Sequence, residues 1–264
     1  MGANTFQFFS SSPRMWKAPK VAAADAERMR QLRAQLDVAP LVIHTSYLVN
    51  VCSQNEETRQ KSTDAFRGEI ERALAWGADY LGLHPGSWKG LTREEGLRLA
   101  AETIMRSIDN LPWQETSFQI LIENTAGAEF SLGGSLEQVA ELVERLRAHA
   151  PVAVCLDTCH THVAGYDLVT ESGYEETIRQ VESTVGCAQV KVWHCNDAKA
   201  ERGSKLDRHE HIGAGTIGSA PFHRLLHDAR FAHCAFIAET PVDEPGDDLR
   251  NVQLLRRLAE TPQL

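Results

Sequence analysis

Six predicted strands of this chain each end at a histidine, a glutamate or an aspartate, and this recurrence constrains the fold more than any other feature. The six positions are His44, His84, Glu123, Asp157, His194 and Glu239. Successive positions are 34 to 45 residues apart, which is the length of one strand followed by one helix. Alternating strands and helices of this length form a parallel sheet. The sequence therefore predicts an α/β fold, and about 250 residues suits a (β/α)8 barrel of the TIM type.

The same recurrence predicts a metal site. An apolar run ends on Asp157, with His160 in the loop just beyond, and both side chains can bind a cation such as zinc. Alone, this pair is weak evidence, because an aspartate at a strand end commonly caps a helix. In a barrel, however, all six strand ends lie on one face. Buried carboxylates that converge in this way are costly without a cation.

Three further donors lie in predicted loops. His160 follows Asp157, and Asp207 and His209 are two residues apart, so in an extended segment they point the same way. Alone, the Asp207-Arg208-His209 segment is typical of a solvated polar loop. Nine donors exceed the four or so that one zinc ion takes. The count therefore predicts a multinuclear cluster.

Composition narrows the class of protein. The chain has 264 residues without a linker or a shift in composition, so we expect a single α/β barrel domain over residues 1–264. A net charge of -9 argues against a basic coat for nonspecific nucleic-acid binding, although bound cations can dominate the local field. We find no apolar run near the roughly 20 residues of a membrane span and no secretory signal. The six cysteines form no CxxC pair, which predicts reduced thiols and a cytoplasmic location.

The predicted elements alternate along the whole chain. Strands are predicted over 5–9, 40–43, 80–83, 118–122, 152–156, 189–193 and 234–238. Helical patterns are predicted over 24–36, 56–76, 92–108, 135–149, 175–185, 220–229 and 247–260.

Several blocks around these strand ends resemble a known family. They are His44-Thr-Ser-Tyr47-Leu48-Val-Asn50, His84-Pro-Gly-Ser87, Glu123-Asn-Thr-Ala-Gly127, Asp157-Thr-Cys-His160 through Asp167, His194-Cys-Asn-Asp-Ala-Lys199, Asp207-Arg-His209 and Glu239-Thr240. In this order they are similar to the signature blocks of endonuclease IV, the zinc-dependent apurinic/apyrimidinic endonuclease of base-excision repair. The resemblance extends from the first residues to Glu239.

The resemblance implies a site of three zinc ions. By this match His44 and His84 hold one ion, and Glu123 bridges it to a second. Asp157, His194 and Glu239 complete the shell of the second ion. His160, Asp207 and His209 hold the third. Manganese at one of these sites stays open, since histidine and carboxylate ligands suit both metals.

The resemblance also implies the reaction and its substrate. The expected substrate is duplex DNA with an abasic site, cut on the 5′ side to leave a 3′-OH and a 5′-deoxyribose phosphate. Glu123 is expected to orient the nucleophile as well as to bind metal. Arg14, Tyr47 and Leu48 match the residues that enter the gap left by the missing base. Without the match, Arg14 is typical of a solvated charge and the other two of packing after a strand. Trimming of blocked 3′ ends is a further expectation. We also expect the protein to act as a monomer without a protein partner.

One difference from the family concerns the first strand. Endonuclease IV chains usually begin with one more strand and helix before the segment that matches Thr5 to Phe9. The sequence predicts seven strands, so the barrel is expected to lack the first β/α unit. The strands at 5–9 and 234–238 are then expected to have open edges.

Two alternatives remain open at the level of sequence. One is a metal-dependent sugar isomerase or epimerase on the related xylose-isomerase-like barrel, whose sites use one or two divalent ions and fewer histidines. The other is a DNA-damage-binding protein without catalysis. Three metals per chain would exclude the isomerase, and binding of abasic duplex without incision would favour the non-catalytic protein.

Overall fold

The structure is a computed structural model and describes residues 2–262. Its strands are β1 (Phe6–Phe9), β2 (Leu41–His44), β3 (Tyr80–Leu83), β4 (Gln119–Glu123), β5 (Val152–Asp157), β6 (Val190–His194), β7 (Asp197–Ala198), β8 (His209–Glu210) and β9 (Ala235–Ile237). Its α-helices are α1 (Ala23–Leu36), α2 (Glu56–Trp76), α3 (Arg93–Ile108), α4 (Leu136–Leu146), α5 (Thr158–Ala164), α6 (Glu171–Thr184), α7 (Ser219–Leu226) and α8 (Asp247–Glu260). Short 3-10 helices cover Trp113–Glu115, Cys187–Gln189 and Ala229–Phe231.

Seven strands form one parallel sheet in the order β1-β2-β3-β4-β5-β6-β9. The sheet curls into a nearly closed barrel with helices outside it, so the predicted α/β barrel with seven strands is confirmed. The remaining strands, β7 and β8, pair with each other as an antiparallel hairpin. This hairpin occupies the β6 to α7 connection, where the sequence predicted only a loop.

Alternation along each strand separates the interior of the barrel from the layer under the helices. A small apolar cluster that includes Val42, Leu121 and Val192 belongs to the strand faces inside the barrel. The alternate residues, such as Leu41 and Ile43, belong to the large core that packs against the helices. Because side chains alternate with a period of two, His44, Glu123 and His194 share a face with those interior residues. The strands therefore place these three side chains directly above the apolar interior.

The first and last strands of the sheet leave a seam. Within residues 2–262, β1 pairs only with β2, and β9 pairs only with β6. A groove of about 560 Å³ lies at this seam, lined by residues 2–7, by the end of β9 and by α8. The open edges expected for the first and last strands are therefore present.

Several predicted boundaries are wrong, each for a local reason. The helix predicted through His149 ends at Leu146, because the chain turns before Pro151 and a residue preceding proline disfavours helical backbone. The helix predicted from about residue 175 begins at Glu171, since Thr170 caps it through the Gly173 N–H. The helix predicted to residue 229 ends at Leu226.

No helix in the described part of the chain is both long and apolar enough to cross a membrane.

Candidate metal centre

All nine predicted donors lie at one end of the sheet, and six of them are at or just after the carboxyl ends of barrel strands. Within this end, five groups of described residues have donor atoms close enough to share a cation, every pair of atoms in a group being within 4.8 Å, and three of the five contain no cysteine. The first group is His44, His84 and Glu123. The second is Glu123, Asp157, His194 and Glu239. The third is His160, Asp207 and His209.

The first group lies on β2, β4 and the residue after β3. His44 Nε2 is 3.1 Å from one carboxylate oxygen of Glu123, and His84 Nε2 is 3.1 Å from the other. His44 and Glu123 are buried, whereas the His84 side chain is 37% exposed. His84 therefore forms the solvent side of this group.

The second group shares Glu123 with the first. His194 Nδ1 lies 3.1 Å from Glu123 Oε1 and 3.2 Å from Glu239 Oε2. Asp157 Oδ2 is 3.9 Å from the same nitrogen. Glu123, Asp157 and His194 are almost fully buried, so three charged or chargeable groups meet where water cannot screen them.

The third group combines α5 with the β7–β8 connection. One carboxylate oxygen of Asp207 lies 3.2 Å from His160 Nε2, and the other lies 3.3 Å from His209 Nε2. The Asp207 side chain is 47% exposed, while His160 is buried. This group therefore reaches from the buried interior to the rim of the site.

His160 is not in a loop, contrary to the sequence prediction. It lies in α5, and Asp157 caps that helix by accepting the His160 N–H at 2.9 Å through Oδ1. The other oxygen, Oδ2, faces the second group. Asp157 therefore caps a helix and also belongs to a donor group. Similarly, His209 is in β8 rather than in a loop.

Backbone carbonyls orient three of the histidines. The Nδ1 atoms of His44, His160 and His209 lie 2.8 to 3.0 Å from main-chain oxygens. Since a carbonyl can only accept, each Nδ1 donates a proton, and in the neutral ring the lone pair lies on Nε2, which faces the centre. Histidines that bind metal commonly have this second contact.

Two asparagines that the sequence analysis did not single out hold the carboxylates. Asn196 donates its Nδ2 proton to Asp157 Oδ2, and its Oδ1 accepts the Glu239 N–H at 2.7 Å. Asn124 Oδ1 accepts the Asp157 N–H at 2.7 Å. The only signal in the sequence is position, since Asn124 follows Glu123 and Asn196 is two residues after His194.

Electrostatics hold the acidic donors ionised. Burial raises the pKa of Glu123, but the adjacent His194 and His84 outweigh it and leave that pKa well below its usual value. The adjacent His160 and His209 likewise lower the pKa of Asp207 against the effect of burial. Burial lowers the pKa of His209, yet Asp157 and Asp207 raise it to about 9 overall. Without a cation, protons on imidazole supply the positive charge.

The donor chemistry fits metal ions. His209 Nε2 is buried and lies 3.3 Å from Asp207 Oδ1 and 3.7 Å from Asp157 Oδ2, but within residues 2–262 it makes no contact that meets hydrogen-bond geometry. A buried ring nitrogen beside two carboxylates suits a cation. Cys155 and Cys159 lie near the centre, but burial raises the pKa of each thiol to about 12. The three groups without cysteine offer only nitrogen and oxygen donors.

Of the three residues predicted to contact DNA, the structure places Tyr47 at the mouth of the centre. A cavity of about 620 Å³ opens over the donors and is lined by Tyr47 and Phe9. Tyr47 also lines an adjoining cavity of about 370 Å³. Tyr47 is 68% exposed and packs edge-on against Phe9, so it is not core packing. Arg14 is exposed and Leu48 is half-buried.

Comparisons with known proteins agree with this fold. The family model described as xylose isomerase-like TIM barrel matches residues 1–260. A structure of a D-tagatose 3-epimerase-like protein has a TM-score of 0.73 at 18% identity, covering 97% of this chain and 88% of its own. A likeness at this identity concerns the fold alone. The chain belongs to the xylose isomerase-like TIM barrel family and, within it, to endonuclease IV.

Two relatives support the second part of that assignment. A protein of Solibacter usitatus named probable endonuclease 4 is 46% identical over 262 residues, which is 98% of this chain and 89% of that relative. The crystal structure of endonuclease IV from Thermus thermophilus has a TM-score of 0.86 at 34% identity, covering 98% of this chain and 90% of its own. The family resemblance of the sequence blocks is confirmed, and the sugar epimerase alternative is not favoured.

Proposed function

We propose that this protein is a metal-dependent apurinic/apyrimidinic endonuclease of DNA repair. It hydrolyses the phosphodiester on the 5′ side of an abasic site in duplex DNA and leaves a 3′-OH and a 5′-deoxyribose phosphate. The observation that carries the proposal is the set of three donor groups at one end of the barrel, two of them joined through Glu123. Relatives named probable endonuclease 4 over nearly the whole chain support it.

Each donor group is proposed to hold one zinc ion. His44 and His84 bind the first with Glu123, which also belongs to the second. Asp157, His194 and Glu239 complete the second, and His160, Asp207 and His209 bind the third. Mixed imidazole and carboxylate donors suit zinc, and manganese is compatible with one position.

When bound, the cations supply the Lewis acidity that hydrolysis of a phosphodiester needs. The residues of the chain do the rest. Glu123 orients the attacking water from the buried side, while the half-exposed Asp207 and His84 form the face that meets the DNA phosphate. Because the donors alone are acidic, the DNA backbone binds only where their charge is neutralised.

DNA contact is proposed for Arg14, Tyr47 and Leu48. The exposed ring of Tyr47 stands beside the cavity over the donors, and an aromatic or apolar side chain can fill the space of a missing base. An abasic nucleotide has no pair to break, so its extrusion costs less than that of an intact nucleotide. Trimming of blocked 3′ ends uses the same centre.

A single barrel domain acting as a monomer in the cytoplasm is part of the proposal. Each donor group is complete within one chain. All six cysteines are free thiols, which suits a reducing compartment.

The test is incision of a labelled duplex that carries one synthetic abasic site. We expect cutting on the 5′ side, loss of cutting after chelation and recovery with zinc. An undamaged duplex of the same sequence controls for general nuclease activity. His209→Asn is expected to impair cutting, and His227→Asn, at the histidine that follows α7 and lies outside all three donor groups, is the matched control. A protein that binds three zinc ions but does not cut would refute the proposal.

A further inference from the structure

Gln7 on β1 reaches the metal centre from the seam of the barrel. Its neighbours Phe6 and Phe8 lie on the other face of the strand, where Phe8 packs against Trp76 under the helices. Gln7 pairs in register with Val42, a residue of the barrel interior. The strand geometry therefore turns the Gln7 amide inward.

The amide of Gln7 contacts two donors of the second group. Its Nε2 donates to Glu239 Oε1, and its Oε1 lies 2.9 Å from His194 Nε2. A carboxylate oxygen can only accept, and Gln7 Nε2 is the amide atom that can donate to it. The amide orientation is thus fixed, with its NH₂ toward Glu239 and its oxygen toward His194.

This orientation determines which ring nitrogen of His194 is protonated. Because the Gln7 oxygen accepts, His194 Nε2 must donate. In the neutral ring the lone pair then lies on Nδ1, the atom 3.1 Å from Glu123 and 3.2 Å from Glu239. His44, His160 and His209 have the opposite arrangement, with Nδ1 on a backbone carbonyl. Gln7 therefore supplies the oxygen that fixes the protonated ring nitrogen of His194, as backbone carbonyls do for those three histidines.

The contact also crosses the seam. Within residues 2–262, the backbones of β1 and β9 are not paired, and Glu239 lies two residues after β9. Gln7 hydrogen bonds join the first strand to donors carried by the last two strands of the sheet. The geometry of the second group therefore depends on the position of β1.

We infer that Gln7 is a positioning residue: it sets the tautomer of His194 and the orientation of Glu239, and so tunes the cation held by the second group. The inference rests on the proposed metal-dependent function but concerns cation binding rather than cutting.

The first test is cation affinity in Gln7→Met, which keeps the length of the side chain and removes the amide. Cation-free protein is titrated with zinc or cobalt against a chromophoric chelator, and bound cations are counted by elemental analysis. We expect affinity for one of the three cations to fall about 10- to 100-fold, as for loss of a contact behind a ligand. Cobalt absorption should change for that site only. Thr5→Val, which removes the hydrogen bond from Thr5 to the Pro40 carbonyl on the same segment, is the matched control.

A merely structural role would give a different result. If Gln7→Met lowers the melting temperature of the cation-free protein as Thr5→Val does, but leaves all three affinities unchanged, the inference is wrong. Equal weakening of all three cations would also overturn it. These readouts need no DNA, so failure of the wild type to cut an abasic duplex would refute the proposed function without deciding the role of Gln7.

A second measurement uses the wild type, in case the variant does not fold. Nitrogen-15 NMR of the zinc-loaded protein should show a proton on His194 Nε2 that exchanges slowly with water. A His194 ring with its proton on Nδ1 would overturn the inference.

Discussion

Glu123 and Asp207 are both carboxylates that contact two or more histidines, yet the fold holds them in different ways. Glu123 ends β4 in the middle of the parallel sheet and is fully buried. Asp207 lies in the connection between β7 and β8 and is nearly half exposed. Neighbouring strands hold the first, whereas the second lies outside the barrel sheet and contacts His160 of α5 and His209 of β8. The barrel sheet therefore holds the part of the centre around Glu123, whereas the part around Asp207 needs contacts outside that sheet.

The anchor of the exposed part is a buried carboxylate, Asp197 at the start of the hairpin. It accepts backbone N–H groups from Ala198, Gly213, Gly215, Ile217 and Gly218. A Cβ on Gly215 would lie 2.3 Å from the Ala198 oxygen, so only glycine allows this close approach. Asp197 thus holds the segment that follows the donors Asp207 and His209.

The barrel side has its own supporting carboxylate, Glu69 on α2. Its Oε1 accepts the Ser46 N–H at 3.0 Å, and its Oε2 is buried with no hydrogen-bond partner in the described part of the chain. Ser46 in turn donates to the Pro13 carbonyl, so Glu69 supports the loops that carry Tyr47 and Arg14. Asp197 has five backbone donors and Glu69 only one. We therefore expect the two carboxylates to respond oppositely to loss of their charge.

The largest effect should come from Glu123→Gln, which breaks the buried part of the centre. Two of the three cations lose a shared ligand, and each cation contributes several kcal/mol of charge stabilisation in the transition state. Incision should fall by more than about 10³-fold, with two cations missing by elemental analysis. Glu141→Gln, at an exposed glutamate paired with Arg93, should keep both activity and cations. Retention of three tightly bound cations would contradict the shared role of Glu123.

Asp207→Asn should break only the exposed part. We expect loss of the one cation held with His160 and His209, and a fall in incision on the order of 10²-fold, or about 3 kcal/mol. The other two cations should remain, because Glu123 and its strands are untouched. Asp64→Asn on the exposed face of α2 serves as the control. Loss of all three cations would mean that the exposed part is not independent of the barrel.

Asp197→Asn tests whether this carboxylate holds the exposed part of the centre in place. An amide cannot accept at both ends, so backbone N–H groups of the 213–218 segment lose a charged acceptor. The free energy of unfolding should fall by roughly 2–3 kcal/mol, measured by urea denaturation. Amide hydrogen exchange should accelerate in residues 207–218 before it does in the barrel strands. Unchanged exchange there, or a loss no larger than in the exposed Asp243→Asn, would show that the segment is held by other contacts.

Glu69→Gln should have the smallest effect and the opposite sign. Burial raises the pKa of Glu69 to about 6 from its usual 4.5, so the fold disfavours the charged form. The charge therefore destabilises the protein above pH 6, and the penalty disappears as the pH falls toward 4.5. Glutamine still accepts from Ser46, so the variant should be more stable at pH 7.5 by up to about 2 kcal/mol.

The free energy of unfolding of Glu69→Gln and wild type should be compared at pH 7.5 and below pH 4.5, with chelator present so that cation occupancy does not vary. The two proteins should converge at the lower pH. Glu71→Gln, at an exposed glutamate on the same helix, controls for surface charge. Equal destabilisation at both pH values would show that the raised pKa of Glu69 does not govern its effect.

The barrel side of this comparison was predictable from sequence, and the exposed side was not. Long elements with clear periodicity and caps are bounded correctly, such as α2 between Asn55 and Gly77. Strand ends at His44 and Glu123 follow from apolar runs that stop on a polar residue. By contrast, α5 has seven residues rich in threonine and histidine, and β7 and β8 have two residues each. Such short elements form because Asp157 and Asp197 supply hydrogen bonds, which no periodicity encodes.

The supporting amides were missed for a related reason. Gln7, Asn124 and Asn196 have no charge and no spacing that distinguishes them from solvated polar residues. Their roles depend on the stagger of the strands and on the seam between β1 and β9, which are three-dimensional properties. Donor identity could thus be proposed from the sequence, whereas the orientation of the donors could not.

The protonation pattern around Glu123 has a consequence for storage and reloading of the protein. Burial opposes protonation of His160 and His194, yet their acidic neighbours outweigh it and raise both pKa values well above the usual value. Imidazolium can therefore act as a substitute counter-ion whenever the cations are withdrawn. Unlike a small domain that unfolds without its zinc, this barrel should survive chelation near neutral pH as an intact, reloadable apoprotein, releasing protons as it takes its cations back.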